Sequence, residues 1–231
     1  MKTSHLFSIG MVSVLLLVPL AVAAQYPIII PPDAGPYYRF NLGPTFPEDG
    51  RLTTFGTFPA GNTVHYDTGF ALEAAVGYAF NRWVEMELEV GWRWNEIGQM
   101  QGFALQETFL HQVSFITNVV LQYPMPHLRV VPYIGGGVGG AATIFDTDGL
   151  SNRLVSVFGS DADFVLAYQG VAGLRFALNR QMSAGVGYKY FASDGSSYRF
   201  ESIVCCGPDL QVGFERVSLH MVLFNFTLKF W

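Results

Sequence analysis

The sequence predicts an all-β fold: a transmembrane, eight-stranded, antiparallel up-and-down β-barrel. Three observations predict it. Residues 83–94 change face at every position, with Val84, Met86, Leu88, Val90, Trp92 and Trp94 on one side and Glu85, Glu87, Glu89 and Arg93 on the other. That period of two is a strand signal. The chain is 50% hydrophobic but only 13% charged, about half the usual charged share, so it needs a large apolar surround. Beyond its N-terminal segment, no apolar run reaches the roughly 18 residues of a transmembrane helix. An exported chain of this kind satisfies its backbone in a bilayer as a closed barrel.

The N-terminal segment reads as a secretory signal peptide over residues 1–24. Lys2 supplies the positive start, residues 6–20 are apolar, and Ala21-Val22-Ala23 fits a small-x-small cleavage site. The mature chain then starts at Ala24 or Gln25. No Cys follows the site, which argues against a lipoprotein. Residues 25–36 carry too many prolines for a central strand and read as a Pro-rich periplasmic leader. Residues 37–231 form the outer-membrane barrel domain.

Eight alternating segments follow the leader, at 38–46, 70–80, 83–94, 112–123, 130–144, 164–178, 182–191 and 214–231. Asn81-Arg82, residues 124–128 and Asn179-Arg180 are short connections. Residues 47–66, 95–111, 146–163 and 194–213 read as four long extracellular loops. Short turns at one end and long loops at the other are the habit of transmembrane barrels. A soluble sandwich or lipocalin-like barrel would also alternate. Its outward face would be polar, however, and its buried face would not carry charges in mid-strand.

If the apolar faces meet lipid, Arg39, Glu73, Glu85, Glu87, Glu89, Arg93, Arg175, Lys189 and Lys229 point into the lumen. Charges away from water need partners, and Asn41, Asn118, Gln169 and Asn225 offer further hydrogen bonds. An eight-stranded barrel is just wide enough to be filled by side chains. The first expectation is therefore a structural network. A narrow ion path, with an acid exchanging cationic partners, is the alternative.

Several segments resemble the small outer-membrane barrel superfamily of outer-membrane protein A and the opacity-type surface proteins. The likeness rests on Gly77-Tyr78-Ala79-Phe80-Asn81-Arg82-Trp83-Val84-Glu85, Pro132-Tyr133-Ile134-Gly135-Gly136-Gly137-Val138-Gly139, Tyr168-Gln169-Gly170-Val171-Ala172-Gly173-Leu174-Arg175-Phe176 and Gly187-Tyr188-Lys189-Tyr190-Phe191. The resemblance implies an outer-membrane location. It does not choose among anchor, adhesin, small channel and enzyme. Family members commonly end on an aromatic residue in the lipid-facing register. Here Phe230 keeps that register and Trp231 falls out of it, so either one is the residue read at assembly.

Other motifs carry less. Ser218 and His220 share a face of the last strand, as a lipid-A-hydrolysing pair would, but no orienting carboxylate is evident beside them. They read better as interface residues meeting lipopolysaccharide. Gly135-x-Gly137-x-x-Gly140 matches a dinucleotide fingerprint by letter, but it lies within a strand instead of a strand-to-helix turn. Cys205-Cys206 form a vicinal disulfide, remain free thiols, or bridge two molecules. Asp146, Asp148, Asp161 and Asp163 read as solvated loop acids. Loop aromatics Phe55, Phe58, Tyr66, Phe103, Phe158, Tyr198 and Phe200 anchor a partner or seal the barrel mouth.

The sequence thus predicts a non-enzymatic surface or structural protein without cofactor, metal or catalytic residues. A porin-like channel is second and a lipid A-modifying enzyme third. The expected partners are outer-membrane lipid and lipopolysaccharide, the outer-membrane assembly machinery and a surface ligand. A net charge of −5 gives no footprint for nucleic acid. The chain ends at the barrel, so no peptidoglycan-binding domain is expected.

Overall fold

A computed structural model describes residues 34–56, 58–125, 129–151, 156–200 and 210–230. The signal peptide, most of the leader, Cys205, Cys206 and Trp231 lie outside the described residues. Among those described, thirteen strands form one antiparallel sheet. They are β1 (Gly35–Pro47), β2 (Gly50–Phe55), β3 (Phe58–Pro59), β4 (Thr63–Tyr66), β5 (Gly69–Ala79), β6 (Val84–Met100), β7 (Ala104–Gln122), β8 (Val130–Ser151), β9 (Ser156–Ala177), β10 (Met182–Ser193), β11 (Ser197–Phe200), β12 (Leu210–Phe214) and β13 (Val217–Lys229).

Eight of these close a ring. β1 pairs with β5 and β13, β5 with β6, β6 with β7, β7 with β8, β8 with β9, β9 with β10, and β10 with β13. Every ring strand has two neighbours, so this part of the sheet has no edge. The strand pattern explains the closure. On β6, Glu85, Glu87 and Glu89 are buried while Met86, Leu88, Val90, Trp92 and Trp94 are exposed. An outward face of Phe40, Leu42, Phe70, Leu72, Phe115, Val119, Phe164, Leu166, Val222 and Phe224 continues around the wall. β1 begins at Gly35, so Gly35 and Pro36 belong to the wall, not the leader.

The long connections depart from the sequence reading. β6 runs to Met100 and β7 starts at Ala104, which leaves only a tight turn of the expected loop 95–111. β8 and β9 likewise extend through much of 146–163. In 47–66 and 194–213 the chain forms β2, β3, β4, β11 and β12. Inward alternation persists in these stretches beneath their polar composition: Leu52, Val64, Ile97, Met100, Leu150, Tyr198, Phe200 and Val212 are all buried. Small polar residues occupy the outward positions and disguise the strands.

These short strands prolong the wall. β4 pairs with β6 beyond β5, β2 with β4, β12 with β2, and β11 with β12. The upper ring therefore runs β6, β4, β2, β12, β11, β9, β8, β7. Each of β5, β1, β13 and β10 is continued above by a separate strand. Neighbours in this upper ring share a ladder except β11 and β9. There, Asp163 Oδ2 accepts the Ser197 N–H at 2.9 Å and Asp161 Oδ2 accepts the Arg199 N–H at 2.7 Å. Asp161 and Asp163 are thus structural clasps, where the sequence suggested solvated acids.

The interior is layered. Charged residues fill the half nearest the short turns. An apolar cluster of Leu110, Val165, Phe191, Leu219 and Met221 packs with them, and its members Ile116 and Leu223 lie among the charges themselves. The upper ring encloses a second apolar cluster of Leu52, Ile97, Met100, Phe145, Leu150, Tyr198, Phe200 and Phe214. Phe55, Tyr66 and Phe103 pack against that cluster. Of the two alternatives for the loop aromatics, these residues take the sealing one, while Phe158 is exposed.

Candidate functional site

The lumen charges meet as the alternation requires. Arg39 reaches Glu85 through Nη2 at 2.7 Å and Glu87 through Nη1. Arg175 Nη1 approaches the same Glu85 oxygen at 2.9 Å. Higher in the barrel, Lys189 Nζ lies 2.8 Å from both oxygens of Glu89 and also contacts Glu73. Arg93 Nη2 pairs with the other Glu73 oxygen at 2.8 Å. Two ionic strings result: Arg175–Glu85–Arg39–Glu87 below, and Glu89–Lys189–Glu73–Arg93 above. Four acids face four cations, so the set is neutral.

Two amides join the strings. Asn118 Nδ2 donates to Glu87 at 3.3 Å, and Gln169 Nε2 donates to both Asn118 Oδ1 and Glu89, each at 2.8 Å. Asn41 donates to Glu73 at 3.0 Å. Gly137 stands opposite Asn118 in the β7–β8 register. A Cβ there would lie 2.0 Å from Asn118 Oδ1, so the glycine makes room for the bridging amide. The supposed dinucleotide fingerprint is thus strand interior with a packing role.

Of the nine residues expected in the network, eight make these buried contacts. Lys229 is half-buried at the short-turn end, in the wall of a cavity with Arg175 and Arg180. Sequence reasoning missed four supporting groups. The Tyr37 hydroxyl donates to Glu87 at 3.0 Å, Ser114 accepts from Arg93 at 2.7 Å, Thr227 accepts from Arg39 at 3.2 Å, and Gln122 accepts from Arg175 at 3.2 Å. Each shares the inward parity of a charged neighbour, and that parity was the available signal. Arg93 also stacks over Phe191, 3.9 Å from its centroid, where the charged layer meets the apolar one. Asn225 donates instead to Tyr133, at 3.2 Å.

The Ser218–His220 pair has a carboxylate after all. Glu48 follows β1, and its Oε1 lies 2.9 Å from His220 Nε2. The sequence did not reveal this contact, because the two residues lie far apart in the chain. His220 Nδ1 lies 2.6 Å from the Tyr188 hydroxyl, and Ser218 Oγ accepts from Tyr190 at 3.1 Å. Both imidazole nitrogens are therefore engaged by residues other than Ser218. Ser218 itself is buried, not lipid-exposed. The arrangement ties β10, β13 and the end of β1 together.

Comparison with known proteins matches the fold. Neisserial surface protein A is 12% identical, with 85% of this chain and 99% of that chain covered at a TM-score of 0.55. The outer membrane protein OprG from Pseudomonas aeruginosa is 14% identical, with 86% and 98% covered at a TM-score of 0.56. No curated protein matches the sequence. The family described as outer membrane protein beta-barrel domain matches residues 12–230. With a ring of eight strands, an apolar outer wall and a charged, internally paired lumen, this chain belongs to the outer membrane protein β-barrel domain family.

Proposed function

We propose that the protein is a non-conducting structural barrel of the outer membrane that carries a folded wall extension to the cell surface. The carrying observation is the filled lumen. The ionic network closes the lower half, and two apolar layers close the upper. Within the network a cavity of about 20 Å³ lies beside Arg39, Glu87, Glu89 and Lys189. That is room for about one water. In this reading residues 1–24 are removed on export, the short turns face the periplasm, and the four connections at the other end are extracellular. Its partners are membrane lipid and lipopolysaccharide around the wall, the assembly machinery during insertion, and a surface ligand at the upper rim.

Planar-bilayer recording tests the proposal. Folded protein, verified by a heat-modifiability gel, should give no discrete conductance steps. Reproducible steps altered by Glu87→Gln would overturn it in favour of a small channel. The non-enzymatic part of the reading rests on the engagement of both His220 nitrogens away from Ser218. Expression should leave lipid A mass unchanged, and a mass loss abolished by Ser218→Ala would reverse that conclusion.

A further inference from the structure

At the short-turn end the lumen opens into a cavity of about 140 Å³. Gln122, Arg175, Asn179, Arg180, Ser183 and Lys229 supply its polar lining, and no carboxylate lines it. Three of the six are cationic. The surrounding end of the barrel has the same sign. Arg82, Arg129, Arg180 and Lys229 stand there, and among the described residues the nearest acids are Glu85 and Glu87 of the lower string, both buried and paired with Arg39. Most other acids sit in or beyond the upper half of the wall.

Arg175 is the informative side chain. It is only 3% exposed. Its Nη1 serves Glu85 and Gln122, but its Nε and Nη2 are buried without an acceptor. A buried donor left unmatched destabilises the fold, and more so when the group is charged. Tyr133 holds the guanidinium plane from one side, 4.2 Å from ring centroid to Cζ. A guanidinium so fixed offers two parallel donors, the geometry that suits a tetrahedral oxyanion. Arg180 and Lys229 add positive charge, and Asn179 and Ser183 add neutral donors.

We propose that this cavity is a binding site for a phosphate-type oxyanion, with Arg175 as the buried anchor and Arg180 as the cationic rim. Two sources supply that chemistry at this position. One is free inorganic phosphate. The other is the phosphate head of an anionic phospholipid in the adjacent leaflet, since Trp83–Tyr123 and Tyr38–Phe230 form aromatic pairs on the outer wall at the same end. Aromatic residues of this kind sit at head-group level. The site stands whether or not the lumen conducts.

The test uses full-length folded protein and Arg180→Gln, a turn substitution outside the buried ionic network. Calorimetric titration with inorganic phosphate in neutral detergent reads the free anion. Thermal stability in phosphatidylcholine nanodiscs, with and without phosphatidylglycerol, reads the lipid. Saturable phosphate binding that weakens about tenfold or more in Arg180→Gln, and weakens with added salt, supports a free-anion site. Stabilisation by phosphatidylglycerol that Arg180→Gln removes supports a lipid-phosphate site. The proposal fails if neither phosphate nor phosphatidylglycerol has an Arg180-dependent effect while the heat-modifiability shift shows both proteins folded.

Discussion

Lys189 donates to both carboxylate oxygens of Glu89 at 2.8 Å, and the same ammonium reaches Glu73. One cation therefore separates two buried acids. Removing one partner of a buried pair costs about 3–5 kcal/mol, because the other charge is left unmatched. Lys189→Met should lower unfolding stability in urea by an amount of that order. The double variant Lys189→Met with Glu89→Gln should recover a large part of the loss, since Arg93 still serves Glu73. Urea titration followed by the heat-modifiability gel measures both. A single variant as stable as the parent would show that the network contributes nothing to holding the barrel.

Tyr37 and Gly77 define a second constraint. They are paired across β1 and β5, and a Cβ on Gly77 would lie 2.2 Å from Tyr37 Cζ. The ring is almost wholly buried, and its hydroxyl binds Glu87. Gly77→Ala should therefore displace the ring and destabilise the barrel by about 1–3 kcal/mol. In a Tyr37→Leu background the same substitution should cost much less. Equal losses in both backgrounds would show that the two sites are uncoupled.

How much of this was legible in the sequence depended on chain distance. The β6 alternation identified Glu85, Glu87 and Glu89 as one face, because period two is a local property. The inward cations followed by the same parity on their own strands. The pairings did not: Glu73 with Lys189, or Arg39 with Glu85, depends on register around a closed ring. Tyr37 was missed because prolines just before it suggested a leader, yet Pro36 sits in β1 opposite Tyr78. The upper strands were missed because Gly, Ser, Thr and Asp look like loop composition. Their inward residues alternate too briefly for a local reading. Glu48 and His220 meet only because β1 and β13 close the ring.

The joint between β9 and β11 is the weak point of the upper wall. Asp161 and Asp163 accept backbone N–H groups of Arg199 and Ser197 where neighbouring strands have ladders. The double variant Asp161→Ala with Asp163→Ala should raise amide exchange across residues 197–200 by at least about tenfold, the equivalent of 1.4 kcal/mol. Exchange in β7 and β8 should stay unchanged, because those strands pair with each other along nearly their whole length. Hydrogen exchange read by mass spectrometry separates these segments. Unchanged protection at 197–200 would mean that packing of Tyr198 and Phe200 holds β11 without the clasps.

Acid should loosen the rim at Glu48. The hydrogen bond to His220 is the largest influence on the Glu48 carboxyl and holds it below the usual carboxylate range. A folded-state pKa below the unfolded one stabilises the folded form above the unfolded value, about 4.3 for Glu. That contribution disappears as pH falls through the folded value. Glu48 is largely exposed, so solvent screening limits the effect to less than about 1 kcal/mol. The parent should thus melt slightly above Glu48→Gln at pH 7, and the gap should close as pH falls through the folded value. His220→Gln should shrink the pH dependence of the gap, because the carboxyl then loses the largest of the influences that lower its pKa. A gap of constant size from pH 7 to 3 would show that the substitution acts through packing and not through this carboxylate.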